Sequence, residues 1–341
     1  MGRQQRAWLV RQATPADDAQ LQDLYRSVSG RDRALAQFKW QYRDNPDGEA
    51  VVAVADVAGR IVGQYALSPT MLRLGPDLVL GAQSFDTMTH PDYRGQGMFV
   101  ALAQSAMQHA AERGVQTLYG FPNSNSYHGF VRRLDWDCTG TMPVWFRPLA
   151  IAKHPGVPGL AAPLASLGSR ILPTGRTAGF ELADVMPGES DVSLLIHEWQ
   201  ERSGGCRVAR SVAQYRWRFS AASGRNYRWT CAYRRGRLVA LAVWGIDPRT
   251  GNALLSETMG TDRRAVQAVI ASALGQADRA ICPLMLVVSS RGYLPVALWR
   301  CGFIRSSRLP LIVRKLTARE LGADIHSNSA WSIFGADVDT F

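Results

Sequence analysis

The stretch best suited to chemistry is a glycine-containing loop that leads into a helix. It reads SFDTMTHPDYRGQG from Ser84 to Gly97, and the apolar periodicity of residues 98–113 predicts a helix directly after it. Glycine at a helix start lets backbone N–H groups approach an anion closely, and the free amides and dipole of that helix end favour phosphate. The loop therefore predicts a pyrophosphate-binding site, with a simple chain turn as the alternative.

The order of residues in this loop distinguishes it from two well-known phosphate-binding motifs. It is neither G-x-G-x-x-G nor the P-loop pattern that ends in Lys-Ser/Thr, so dinucleotide and nucleoside triphosphate sites lose support. It resembles motif A of the GCN5-related N-acetyltransferases (GNAT), R/Q-x-x-G-x-G/A. The six places are held by Arg94, Gly95, Gln96, Gly97, Met98 and Phe99. Phe99 departs from the small final residue, as in acetyltransferases of the enhanced-intracellular-survival type and related tandem proteins.

This resemblance implies a site for acetyl-CoA as co-substrate and no metal. In the family the loop holds the pyrophosphate, and splayed strands in the middle of the sheet hold the pantetheine arm. Carried over to this chain, the resemblance implies coenzyme contacts from residues 94–99, from Met88 and Thr89 on the preceding strand, and from Asn123. Capping of a helix is the alternative role for Asn123.

Acyl transfer to an amine needs a group that removes a proton and a group that supplies one. For the base, Asp86 lies on the strand that leads into the loop. An acid in an otherwise apolar strand is desolvated, and desolvation favours proton binding, which suits a base. Structural pairing with an arginine is the alternative, and His90 is the rival residue. For the acid, the resemblance implies a tyrosine where Val131 stands. Tyr127, one turn earlier on the same helical face, is the substitute, with a core or cofactor-stacking ring as its alternative.

The C-terminal tail, residues 331–341, which ends Phe-Gly-Ala-Asp-Val-Asp-Thr-Phe, is a third catalytic candidate. In the enhanced-intracellular-survival enzymes the terminal carboxylate enters the active site, and this chain also ends in phenylalanine. A surface-pinned or disordered tail is the alternative.

The order of predicted elements indicates an α/β protein with a mixed, mostly antiparallel sheet in each of two tandem GNAT-like domains. The first domain is predicted over residues 1–147, and the aromatic residues near position 40 are assigned to its core. Five prolines mark a linker over residues 148–176, with one short helix inside it. The order of elements then recurs over residues 177–341, but Gly260-Thr261-Asp262 replaces the two-glycine loop. The second domain is therefore predicted to keep the fold and to lack the cofactor site.

Composition narrows the class of protein. The 341 residues are 46% hydrophobic, which suits two globular domains, and no apolar run approaches the roughly 20 residues of a membrane-spanning helix. The N-terminus lacks the apolar region of a signal peptide, so the cytoplasm is expected. The five cysteines form no C-x-x-C pair and are predicted to be free, buried thiols.

The charge of the chain is uneven. The net charge is +11, and residues 151–341 hold 24 basic and 14 acidic side chains, against 15 and 14 in residues 1–150. Such a surface could attract anionic partners, with an arginine-rich solvated face as the alternative.

The resulting prediction is an N-acyltransferase that moves an acetyl group to a primary amine. The similarity to tandem members found with bacterial surface-polysaccharide functions implies a small-molecule or amino-sugar acceptor, and nucleic acid is not the expected partner. Two other classes stay open. The missing tyrosine at Val131 would suit a non-catalytic sensor that binds coenzyme A, and the basic second half would suit a transferase that uses charged tRNA.

Overall fold

The computed structural model describes residues 8–150, 173, 175, 179–201, 204–289 and 294–338. These residues form two compact units, each built from separate stretches of the chain. The first unit comprises Met1–Gly140, Ala222–Gly224 and Pro310–Asn328; the second comprises Thr141–Ala221, Arg225–Leu309 and Ser329–Phe341.

The first unit contains a mixed sheet with helices on both faces. Its strands are β1 (Leu9–Gln12), β2 (Val51–Val57), β3 (Arg60–Leu74), β4 (Asp77–Thr89) and β5 (Thr117–Gly120), and its helices are α1 (Asp18–Ser29), α2 (Leu35–Tyr42), α3 (Met98–Glu112) and α4 (Ser124–Arg133). Strands β1 to β4 pair antiparallel in sequence order, and β5 pairs parallel to β4. The helix predicted over residues 98–113 is thus found as α3, one residue shorter at its end.

The second half of the sequence repeats this order. After β6 (Asp137–Pro148) its elements are β7 (Glu181–Ala183), α5 (Glu189–Glu201), β8 (Cys206–Val208), α6 (Val212–Arg218), β9 (Tyr227–Arg234), β10 (Arg237–Ile246), β11 (Ala253–Gly260), α7 (Arg263–Arg279), β12 (Leu284–Val288), α8 (Leu294–Arg300), β13 (Ile304–Lys315) and β14 (Trp331–Ser332). Strands β7, β9, β10 and β11 pair antiparallel, and β12 pairs parallel to β11. The predicted recurrence of elements is therefore present, with the short strands β8 and β14 as additions.

Each sheet is completed by a strand from the other half of the sequence. Strand β6 follows α4 in the chain, but its residues 144–148 pair with β12. Strand β13 follows α8, but its residues 312–315 pair with β5. Both pairings are antiparallel. In each sheet, the strand that follows the parallel strand β5 or β12 therefore comes from the other half of the sequence. Neither half of the sequence contains all the strands of its own sheet.

Apolar side chains pack on both faces of each sheet. In the first unit, α1 and α2 cover one face with a core that includes Phe38, Tyr42 and Met88, and α3 covers the other with a core that includes Leu102 and Ala106. The second unit has the same two layers, one under α5 and α6 and one under α7. The aromatic side chains of α2 are core residues, as predicted.

The cysteines and the linker are the subjects of two further expectations from the sequence. All five cysteines are free and four are buried, but Cys138 is exposed, so the prediction of burial was wrong for this residue. Cys138 lies near the start of β6, where the preceding residue Asp137 is also exposed. Most of the predicted linker, with its short helix, lies outside the described residues, and the boundaries at 147 and 176 stay a prediction.

Candidate active site

The loop between β4 and α3 is built by two kinds of turn. A short 3₁₀ turn spans Pro91–Tyr93, and the His90 ring accepts a hydrogen bond from the Asp92 amide (3.3 Å) at its start. Gly95 and Gly97 follow, each with φ of 78°, which is the left-handed region that other residues adopt at a cost. A Cβ atom at either glycine would meet nothing within 4 Å. Both are therefore required by the backbone conformation, and the space above the loop is open.

The first turn of α3 has backbone donors without acceptors. Gly97 is the N-cap residue and provides no side-chain cap, and among the described residues no group accepts a hydrogen bond from the amides of Met98, Phe99 or Val100. The adjoining residues 94–97 are exposed. Helix α4, by contrast, is capped, since the Asn123 side chain accepts from two of its amides at 3.0 Å each. The uncapped start of α3 can therefore bind an anion.

Strands β4 and β5 pair over a short distance. The pairing joins Gly81–Gln83 of β4 to Thr117–Tyr119 of β5. Strand β4 then continues to Thr89, whereas β5 ends at Gly120. The edge of β4 beyond Gln83, which includes Met88 and Thr89, thus extends past the end of its neighbour towards the loop. An extended ligand could add to this edge as a further strand.

A bulge in β4 sets the position of Asp86. The pairing with β3 shifts by one residue there, and Asp86 has φ of 42°, an unusual value for a residue with a side chain. The buried Gln64 side chain stabilises the bulge by donating hydrogen bonds to the Asp86 carbonyl (2.8 Å) and to the Tyr42 hydroxyl (2.7 Å). Backbone strain and a buried amide thus hold this carboxylate at one point of the sheet.

The Asp86 carboxylate is paired on one side only. Its Oδ2 atom accepts from Arg33 Nη1 at 2.5 Å and from Tyr42 Oη at 2.9 Å. The Arg33 side chain is 3% exposed and lies over the rings of Tyr25, Phe38 and Tyr42, whereas the Asp86 side chain is 22% exposed. No described residue donates to Oδ1. The structural pairing considered as an alternative is thus present, and it leaves one oxygen accessible to a ligand.

Helix α4 carries Tyr127. The Tyr127 ring is half-buried against the core that includes Phe130, and a hydrogen bond with the Cys138 thiol raises the pKa of its hydroxyl. Val131, at the place where the resemblance implies a tyrosine, is a partly buried apolar residue of the same core. The Asn123 oxygen caps the helix, so only its side-chain nitrogen remains for another partner.

The bulky Phe99 fits because α4 offers no side chain opposite it. A Cβ atom at Gly129 would lie 2.9 Å from the Phe99 ring, which is closer than such atoms approach in proteins. The Phe99 ring also makes an edge contact with Phe130, with 5.3 Å between centroids. A small residue on the facing helix therefore compensates for a large residue in the loop motif.

The comparisons with known proteins agree with this geometry. The model of the family described as acetyltransferase (GNAT) domain matches residues 10–139. Residues 10–139 form a GNAT acyltransferase domain. None of the curated proteins compared with the chain matches it.

Solved structures of GNAT proteins share the fold of the chain. A GCN5-related N-acetyltransferase from Anabaena variabilis has 14% identity and a TM-score of 0.66, covering 91% of this chain and 73% of its own. A tandem GNAT protein from the clavulanic acid biosynthesis pathway has 15% identity and a TM-score of 0.60, covering 92% and 100%. The N-myristoyltransferase of Saccharomyces cerevisiae with bound myristoyl-CoA has 12% identity and a TM-score of 0.66, covering 92% and 80%. At these identities the similarity is one of fold.

The helix of the second unit that corresponds to α3 of the GNAT domain has a different start. Helix α7 begins after Asp262, whose Oδ1 atom accepts from the amides of Arg264 (2.7 Å) and Ala265 (3.0 Å). Burial acts to raise the pKa of Asp262, but these amides and the Arg234 guanidinium at 2.8 Å outweigh it and lower the pKa. The carboxylate therefore satisfies the donors that a phosphate would need.

Sequence reasoning on the GNAT domain missed Arg33, Tyr42 and Gln64 as neighbours of Asp86. These three residues come from other parts of the chain. The one sequence feature that could have indicated them was the group of aromatic residues near position 40, close to an arginine. His90, the rival base, caps the 3₁₀ turn and lies 3.6 Å from Asp92. No group of three or more His, Cys, Asp or Glu side chains within the described ranges could hold a metal ion. Of the helices that the structure describes, none has the length and apolar character needed to cross a membrane.

Proposed function

We propose that the GNAT domain transfers an acyl group from an acyl-coenzyme A, acetyl-CoA in the first instance, to a primary amine. The observation that carries the proposal is the start of α3, where three backbone amides have no acceptor among the described residues. The exposed loop before it has open space above both glycines. Backbone amides at a helix start are a general means of binding phosphate.

The residues present fit a coenzyme of this class. The diphosphate would bind the amides between Gly95 and Phe99, with Arg94 and Gln96 beside it. The pantetheine arm would lie along the edge of β4 at Met88 and Thr89. The coenzyme supplies the acyl group in activated form, as a thioester. We infer one coenzyme site per chain, because Asp262 occupies the corresponding donors of the second unit.

Two side chains would move the protons. Asp86 Oδ1 would accept a proton from the acceptor amine, while Arg33 and Tyr42 hold Oδ2 in place. The Tyr127 hydroxyl would donate a proton to the departing sulfur. A tyrosine hydroxyl is protonated near neutral pH, and the hydrogen bond with Cys138 raises the pKa of Tyr127 further. The Tyr127 side chain is only half-buried, so a substrate can reach it.

For the acceptor we propose an amino sugar, and for the place of the reaction the cytoplasm. The acceptor proposal depends on the similarity of the sequence to tandem proteins with polysaccharide functions. The narrower resemblance to the enhanced-intracellular-survival type depends on Phe99 in the loop, and the cytoplasm is the expectation stated from the sequence. Release of free thiol from acetyl-CoA with a panel of amino sugars, polyamines and amino acids would identify the acceptor class. Binding of coenzyme A without thiol release for any amine would instead support a sensor.

Calorimetry of coenzyme A binding to the Gly97→Glu variant tests the coenzyme site. The new carboxylate would repel the diphosphate and strain a backbone with φ of 78°. Loss of about two charge-assisted hydrogen bonds predicts a Kd at least about 100-fold weaker. Gly236→Glu is the matched control, since Gly236 has φ of 72° and equally open surroundings in a hairpin turn. Equal binding by both variants, or a stoichiometry of two in the unaltered protein, would contradict the proposal.

The Asp86→Asn variant tests the base. General base catalysis typically contributes a factor of about 100 or more, so kcat should fall by about that factor while the Kd for coenzyme A stays unchanged. Asp92→Asn, at an exposed carboxylate of the same loop region, serves as the control. Full turnover in the Asp86 variant would leave Asp86 without a catalytic role.

A further inference from the structure

The second unit has a cleft of the same design as the GNAT domain. Strands β11 and β12 pair in parallel over two residues, Ala253–Leu254 with Met285–Leu286. Strand β11 then continues to Gly260, and β12 ends at Val288. The pairing thus stops early, as it does between β4 and β5. An extended segment could occupy the space beside β11.

A segment of the chain itself lies there. Phe334 forms an antiparallel bridge with Ser289, directly after β12, and the following turn Gly335–Asp337 packs against β11. Arg218 donates to the carbonyls of Ala336 (2.8 Å) and Val338 (3.0 Å). The Phe334 ring makes an edge contact with Trp199, with 5.9 Å between centroids. Backbone, ring and carbonyl contacts all bind this segment, residues 334–338, to the second unit.

Asp337 adds a buried ionic contact. Its Oδ1 atom lies 2.7 Å from Arg210 Nη1, and Arg210 Nε donates to Glu257 of β11 at 2.7 Å. All three side chains are 5% exposed or less. The Asp337 Oδ2 atom also accepts from the Phe334 amide at 2.9 Å, so the carboxylate orders its own segment. A carboxylate buried this deeply is bound through specific partners and is not a loosely attached tail residue.

The ionic cluster has a counterpart in the GNAT domain. Glu257 stands three residues before the end of β11, and Asp86 stands three residues before the end of β4. Arg210 and Arg33 each stand two residues before the second helix of their unit, α6 or α2. The arginine–carboxylate pair is thus common to both units, whereas the third carboxylate is supplied by the C-terminal segment. The pair by itself does not require Asp337.

We propose that residues 334–338 are an intramolecular ligand of the second unit, recognised through Asp337 and closing the cleft beside β11 to other molecules. The ligand chemistry of this cleft is that of an extended acidic peptide, with an aromatic ring at its start and a carboxylate three residues later. The proposal does not depend on acyl transfer. It accounts for a unit that keeps the architecture of the GNAT domain while its anion site and its cleft are both occupied by the chain.

Hydrogen exchange measured by mass spectrometry on the full chain, without coenzyme, tests the proposal. In the unaltered protein the amides of residues 334–338 should be protected. Asp337→Asn should speed their exchange at least 10-fold, while β11 keeps its protection. Asp324→Asn is the matched control, because the exposed Asp324 lies outside the cluster and should leave the segment unchanged.

Arg218→Gln gives a second and milder perturbation. It removes the donors to the carbonyls of Ala336 and Val338 and leaves the buried ionic cluster intact. It should also speed exchange of residues 334–338 without affecting β11. Fast exchange of the segment in the unaltered protein would overturn the proposal. So would equal loss of protection in the segment and in β11, because the segment would then be an ordinary part of the core.

Discussion

The ion pair between Arg33 and Asp86 allows a quantitative test of how the candidate base is held. The Arg33 side chain is 3% exposed and the Asp86 side chain 22% exposed, and their closest atoms are 2.5 Å apart. Removal of one partner of a buried ion pair typically costs about 3–5 kcal/mol, because a buried charge is left alone. Asp86→Asn leaves the more deeply buried charge, so we expect it to lower the free energy of unfolding by about 3 kcal/mol.

Removal of the arginine instead of the carboxylate should lower the free energy of unfolding by a smaller amount. Arg33→Met leaves a carboxylate that is partly exposed and still accepts from Tyr42, which predicts a loss of about 1–2 kcal/mol. The double variant removes both charges together and should be no less stable than Asp86→Asn alone. The coupling energy of the double-mutant cycle should therefore be at least about 1–2 kcal/mol.

Urea unfolding of the three variants at pH 7 measures this coupling. The control is the pair Arg26–Asp32, which has the same 2.5 Å separation but side chains that are 60% and 78% exposed. Because water screens such pairs, the control cycle should show little or no coupling. Additive effects in the Arg33–Asp86 cycle would refute the reasoning that burial makes this pair a fixed support for the carboxylate.

Two further predictions concern packing and pH. Gly129→Leu should destabilise the protein by about 1–3 kcal/mol in urea unfolding, because its side chain meets the Phe99 ring, and Phe99→Ala in the same chain should restore part of the loss. Gly275→Leu, in a helix with space at that position, should cost little, and an equal cost at both glycines would contradict the packing explanation. Burial raises the pKa of Glu257 above its usual value of 4.5, against the opposing effect of Arg210. A raised pKa means that the folded state binds the proton of Glu257 more tightly than the unfolded state does. The stability gained from this proton is therefore present below pH 4.5 and is lost as the pH rises through the folded-state pKa. The stability of the unaltered protein relative to Glu257→Gln should therefore fall from pH 4.5 upward, and a difference that rises with pH would contradict this sign.

Local features of the fold could be predicted because their causes lie within a few residues. The Ala58-Gly59 turn between β2 and β3 has positive φ at both residues, as hairpin turns require, and helix α3 ends where Gly114 adopts φ of 86°. The open start of helix α3 after Gly95 and Gly97 was predicted for the same reason. Their left-handed conformation and the uncapped helix after them are properties of a short segment.

The surroundings of Asp86 could not be predicted in this way. Arg33 lies 53 residues from Asp86 in the sequence, and the bulge that turns the carboxylate towards it depends on the buried Gln64 side chain. Periodicity describes which face a residue occupies but not which distant side chain it meets.

The sequence by itself determined the order of helices and strands, their recurrence in the second half and the glycine loop with its expected anion site, because these follow from backbone conformation and local apolar patterns. Only the tertiary structure decided which strands complete each sheet, with β6 pairing to β12 and β13 to β5. It also decided that residues 334–338 lie beside β11, and that Asp262 caps the helix where the second unit would bind phosphate. Strand pairing and buried charge pairs depend on contacts between residues far apart in the chain. Their energies arise only once those residues are brought together and water is excluded.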